Sequence, residues 1–122
     1  MFQIPWKLYS ESEILEVMTE IFKLRGFNVY NIHKTDRRGE EGIDLECTKT
    51  GENEKLILAA KKKPEKMDIG QLRDFAKSNS TSRIYLYIEE PSAAFKKAME
   101  EYKNRVSFWN AEKLTHELYC TS

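Results

Sequence analysis

An acid on one short apolar segment and a lysine ending the next are the residues with the clearest capacity for chemistry. Asp44 lies within Gly42-Ile43-Asp44-Leu45-Glu46-Cys47, and Lys61 closes Leu56-Ile57-Leu58-Ala59-Ala60-Lys61. A carboxylate suits a hard cation such as Mg²⁺, which takes one or two protein carboxylates together with water and phosphate. An ammonium nearby can neutralise charge developing on an attacked phosphate. Phosphodiester hydrolysis needs that pairing, because the cation polarises the phosphoryl oxygen and acidifies the attacking water. On a regular strand Ile43, Leu45 and Cys47 face one way while Asp44 and Glu46 face the other. On the next strand Ile57, Ala59 and Lys61 share a face. A hairpin register that joins the two polar faces brings Lys61 to a phosphate held at Asp44. Taken singly, Asp44 is also a polar residue satisfied by backbone after a glycine turn, and Lys61 the first residue of a solvated basic run. Their joint placement on consecutive strands favours the chemistry.

Glu13 is a third candidate, bordering the apolar stripe of a helix beside Val17 and Leu24, from where a carboxylate can reach a sheet edge. It also fits a helix cap with Ser10. Glu46 shares the expected face of Asp44 and is a candidate second metal ligand, or else partner to a basic neighbour. Positive charge clusters just outside the two strands, in His33-Lys34-Thr35-Asp36-Arg37-Arg38 and in Lys61-Lys62-Lys63-Pro64-Glu65-Lys66. Lys34, Arg37, Arg38, Lys62, Lys63 and Lys66 are the candidate nucleic-acid contacts, tracking a phosphate backbone. His33 is a phosphate contact before it is a general base. Twenty acids balance twenty bases. The whole molecule is therefore no general polyanion binder, and only local charge argues for nucleic acid.

The elements that must position these groups follow from pattern. An aromatic arm (Phe2, Trp6, Tyr9) precedes Ser10-Glu11-Ser12-Glu13, a capping box with Ser10 as N-cap. Ile14, Val17, Met18, Ile21, Phe22 and Leu24 recur at helical spacing until Gly26. Phe27 to Ile32, Ile43 to Lys49 and Lys55 to Lys61 are expected strands, the last two joined through Gly51-Glu52-Asn53 as a hairpin. Asp68 can cap a helix carrying Ile69, Leu72, Phe75 and Ala76. Arg83 to Ile88 suits a strand buried on both faces, and Pro91-Ser92 starts a helix with Phe95, Ala98 and Met99. Val106 to Trp109 is a short strand, after which Asn110 caps a last helix through Leu114 and Leu118. The order α-β-β-β-α-β-α-β-α implies an α/β protein with a mixed central sheet and helices on both faces.

These segments, in this order, resemble the Mrr-type restriction endonucleases of the PD-(D/E)xK nuclease superfamily, with archaeal Holliday-junction resolvases as relatives. The likeness is carried by the first helix with its early acid, by Gly26-Phe27 and by Glu41-Gly42-Ile43-Asp44-Leu45. Leu58-Ala59-Ala60-Lys61-Lys62, the helix Ile69–Phe75 and Val106-Ser107-Phe108-Trp109-Asn110 continue it. The resemblance implies a restriction endonuclease-like three-layer fold and a Mg²⁺- or Mn²⁺-dependent endonuclease acting on DNA, as a homodimer. Asp44 is then the metal-binding acid, Lys61 the catalytic lysine and Glu13 the optional helix-borne acid. The chain departs from the pattern at Ala59, where the family carries Glu, Asp or Gln. A methyl group offers neither metal ligand nor hydrogen bond. Glu46 or Glu13 then supplies the second oxygen, or the metal site is weak, or the chain is a catalytically inactive module binding nucleic acid or a protein partner.

With 122 residues, 40% of them hydrophobic, the chain fits one globular domain over 1–122. It holds no apolar run near the roughly 20 residues needed to span a bilayer, and no signal-peptide pattern, so cytoplasmic residence is expected. No small-molecule cofactor beyond the metal is expected. Cys47 and Cys120 stand in no CxxC spacing and are expected to be ordinary thiols.

Overall fold

In the computed structural model, which describes residues 4–32 and 42–121, Ser10 begins the first helix as the capping pattern requires. Its hydroxyl accepts the Glu13 N–H at 3.1 Å, and the Glu13 carboxylate accepts the Ser10 N–H at 2.9 Å. Helix α1 (Glu11–Leu24) then buries Ile14, Leu15, Met18, Ile21 and Phe22 along one stripe. Gly26, at φ +93°, takes the left-handed conformation that lets the chain leave the helix.

Among the described residues five strands follow: β1 (Asn28–Asn31), β2 (Leu45–Thr48), β3 (Lys55–Lys61), β4 (Ser82–Tyr87) and β5 (Ser107–Trp109). They stand side by side in chain order. β1, β2 and β3 run antiparallel, whereas β3, β4 and β5 are parallel. The parallel pairs require crossovers, which are α2 (Ile69–Lys77) and α3 (Ala93–Tyr102). Helix α4 (Ala111–Thr121) closes the chain, with Asn110 Oδ1 accepting the Lys113 N–H at 2.8 Å.

The sheet divides two cores. On one side Leu45, Cys47, Leu56, Leu58, Ile84, Leu86 and Trp109 pack against α1 and α4. On the other, Ile57, Ala59 and Tyr85 pack with Leu72, Phe75 and Ala76 of α2 and Phe95 and Ala98 of α3. The expected α/β three-layer arrangement with a mixed sheet is thus observed, and Arg83–Ile88 is realised as β4 with Ile84, Tyr85 and Leu86 all buried. Trp6 of the aromatic arm is buried on its own domain, its Nε1 donating to Thr115 Oγ1 of α4 at 2.8 Å.

The expected strand from Ile43 starts two residues late, at Leu45, and its alternation is broken. Ile43 packs with Ile57 and Ala59, on the opposite side from Leu45 and Cys47. The cause is a bulge-like step at Asp44. Leu58 already pairs with Leu45, yet its carbonyl also accepts the Asp44 N–H at 2.9 Å. Two residues of one strand thus oppose one of the other, which reverses the facing of all that precedes them.

Candidate functional site

β2 leaves the ladder at Asp44 while β3 runs on to Lys61, so the last N–H groups of β3 on that side need other acceptors. The Asp44 carboxylate is one: its Oδ2 accepts the Ala60 N–H at 2.9 Å. Asp44 therefore lies along the edge that β2 vacates, rather than on a face shared with Glu46. Glu46 stands across from Ile57 and pairs with Lys55 at 3.5 Å, towards the hairpin end of β3. Its position as a metal ligand beside Asp44 is not what the packing favours.

One residue beyond Ala60, the Lys61 ammonium stands 3.9 Å from Asp68 Oδ1. Asp68 follows β3 in a 3-10 turn (Lys66–Asp68) and is buried, 7% exposed. It occupies the N-cap position of α2, as its sequence context suggests, but makes no side-chain cap bond to that helix. Instead its Oδ2 accepts the Glu65 N–H at 2.8 Å, turning the carboxylate back towards β3.

The acid of α1 that reaches β3 is Glu11. Its Oε1 accepts the Lys62 N–H at 3.0 Å, whereas Glu13 is exposed and engaged by the Ser10 cap. Sequence reasoning missed Glu11 and Asp68. For Glu11 a signal was present: once Ser10 claims Glu13, it is the remaining acid of the first turn.

Ala59 is buried and lies beside Tyr85 in the parallel register. The Tyr85 ring sits among Phe75, Phe95 and Phe108 at 5.6–6.0 Å. Its hydroxyl is buried with no hydrogen-bond partner among the described residues. Burial pushes the phenol pKa up, and the negative charges of Asp68, then Asp44, then Glu11 push it further. Three carboxylates from three separate segments therefore lie at the end of β3, within electrostatic reach of one orphaned hydroxyl.

Among the basic candidates, Lys62 Nζ donates to the Lys7 carbonyl at 2.8 Å, which ties the arm to β3. Lys63 and Lys66 are exposed beside the site. Lys34, Arg37 and Arg38, with His33, lie outside the described residues. Cys47 and Cys120 are both free thiols, the first buried and the second exposed.

Among the described residues no three His, Cys, Asp or Glu side chains are grouped as a ready metal cage. The donor chemistry still fits a hydrated Mg²⁺, which needs only one or two carboxylates and keeps several waters. The buried Tyr85 hydroxyl, without a protein partner among the described residues, leaves a donor that a water or a bound group can take up. No helix of the described residues is long and apolar enough to cross a membrane.

Comparison with known proteins gives a match at the level of a family. No curated protein and no solved structure matches the chain. Residues 9–118 match the catalytic-domain model of the Mrr restriction endonucleases, nearly the whole of the chain. The match covers α1, all five strands and the site at the end of β3, and on that ground the chain belongs to the Mrr-type restriction endonuclease family.

Proposed function

We propose that the protein is a Mg²⁺-dependent endonuclease that hydrolyses DNA phosphodiester bonds at the end of β3, through a site altered at Ala59. One observation carries this reading: the Asp44 carboxylate is anchored on Ala60, the residue next to Lys61, so acid and ammonium belong to one strand end. Asp44 would hold the ion, with Glu46 and Glu13 as weaker candidates because each is already paired elsewhere. When bound, Mg²⁺ supplies Lewis-acid polarisation of the phosphate and a more acidic water. Lys61 orients the phosphate and offsets its growing charge. Lys63 and Lys66, together with Lys34, Arg37 and Arg38, would contact the phosphate backbone. Two copies of the chain would serve the two strands of a duplex.

A second reading, a nuclease-fold module that binds without cutting, is favoured by the buried methyl of Ala59 and by the pairing of Lys61 with Asp68. The two separate in one assay. Supercoiled plasmid, a branched junction and single strands are incubated with Mg²⁺ or Mn²⁺, beside Asp44→Asn and Lys61→Ala. Metal-dependent cleavage lost in both variants supports the enzyme. Retention of DNA without cleavage, indifferent to Asp44→Asn, supports the module.

A further inference from the structure

The side chain missing at position 59 leaves Lys61 without an acid two residues before it, yet Lys61 is not without an acid. Asp68 is 3.9 Å from its ammonium, held from the turn that follows β3 instead of from β3 itself. We infer that Asp68 supplies the second carboxylate of a divalent-cation site centred on Asp44, in place of the residue absent at 59. This rests on the reading of Asp44 as the ion-holding acid.

Three observations support it. Asp68 is an acid 7% exposed, and a buried carboxylate is retained where it is paired, hydrogen-bonded or bound to a metal. Its contacts leave capacity: Oδ2 accepts one N–H from Glu65 and Oδ1 faces Lys61, whereas a carboxylate offers about four lone-pair positions. Independently, the Tyr85 hydroxyl, on a residue 2% exposed, has no partner among the described residues and lies in the field of both Asp68 and Asp44. An orphaned donor beside two acids from different elements suits a water or phosphate oxygen in the coordination shell of an ion. Ala59, the neighbour of Tyr85 across β3 and β4, adds no bulk beyond a methyl there. The 3-10 turn Lys66–Asp68 supplies what a longer side chain at 59 would have supplied.

The test is Mn²⁺ binding to the whole protein, read by electron paramagnetic resonance of the free ion, with circular dichroism to confirm folding. Asp44→Asn is expected to abolish binding. Asp68→Asn is expected to weaken it by at least the roughly 10–100-fold that even an outer partner of a metal ligand costs. Asp68→Glu should keep more affinity than Asp68→Asn, because it retains the charge. A purely structural Asp68 gives the reverse order, since Asn preserves its shape and can still accept the Glu65 N–H. That reverse order overturns the inference, as does wild-type affinity in Asp68→Asn, and either leaves Asp44 as the ion's holder. Wild-type protein that takes up no Mn²⁺ at millimolar concentration overturns both the inference and the metal-dependent reading beneath it.

Discussion

On the proposed reading Asp44 does two jobs, and substitutions can separate them. Its carboxylate replaces the ladder partner that Ala60 loses when β2 turns away. Asp44→Asn keeps an acceptor for that N–H, so stability should hold within about 0.5 kcal/mol while metal-dependent function disappears. Asp44→Ala leaves the N–H unpaired and should cost about 1–2 kcal/mol in urea denaturation as well. Equal stability of the two variants would mean that the Ala60 bond is not structural. The same duality explains what residue types and spacing conveyed. As candidates Asp44 and Lys61 stood out because an acid and a lysine in consecutive apolar segments are an unusual pair. Asp68 was not, since an acid before Ile69-Gly70-Gln71-Leu72 looks like an ordinary helix cap, and only three-dimensional burial turns its carboxylate back to Lys61. Cys47 offers a further check at this scale. Burial, with Glu46 beside it, pushes its thiol from 9.0 up to about 12. A raised value favours the protonated thiol in the fold, so its contribution is complete below pH 9 and falls as pH rises from 9 towards 12. The loss has a limiting slope of about 1.4 kcal/mol per pH unit. Native alkylation at pH 8 should therefore label exposed Cys120 and spare Cys47, as read by peptide mass spectrometry. Equal labelling would place Cys47 outside the core.

Elements were readable where a local signal and the tertiary packing agree. Lys55–Lys61 forms β3 with the expected bounds, because the Gly51 turn at φ +81° opens it and Pro64 forbids its continuation. The first helix begins at Ser10 for the same reason of local sufficiency. Ser10→Ala removes the acceptor for Glu13 N–H and should lower stability by about 1 kcal/mol, a few degrees in Tm. Glu13→Gln preserves a side-chain acceptor for Ser10 N–H and should cost only a few tenths of that. If Glu13→Gln also left metal-dependent cleavage intact while Glu11→Gln reduced it, the helix-borne acid of the site would be Glu11. β2 shows where local signals stop. Period-two alternation places Ile43 with Leu45, but a bulge adds one residue without leaving any mark in composition, and Ile43 crosses to the other core. Alternation predicts faces only as far as the ladder is regular.

At the scale of the whole molecule, the site depends on a meeting between the entry to β2 and the entry to α2, two segments on either side of β3 in the chain. Gly42 makes that meeting possible. It has φ +70°, and a Cβ built there would stand 2.6 Å from Gln71 Cγ and 3.2 Å from the Gln71 carbonyl oxygen. Gly42→Ala thus faces two separable costs. The left-handed conformation alone costs an alanine roughly 1–2 kcal/mol. The collision with Gln71 Cγ adds little to this because Gln71 is exposed and its side chain can swing away, whereas the approach to its carbonyl oxygen stays. Gln71→Ala removes Cγ and Cδ and should by itself be nearly neutral. In the double variant the side-chain part of the clash is relieved, while the conformational cost and the close approach to the Gln71 carbonyl remain, so the two changes should couple favourably by about 0.5–1 kcal/mol. Additive losses in chemical denaturation would mean that Gly42 and Gln71 do not touch, and that the approach of α2 to Asp44 is set by other contacts. Because Asp44 and Asp68 sit two residues after Gly42 and three before Gln71, the same variant tests how the fold assembles its acids. Gly42→Ala should weaken Mn²⁺ binding more than its loss of stability alone would, with the double variant recovering part of the affinity. A fold that carried the two acids on independent supports would show no such recovery.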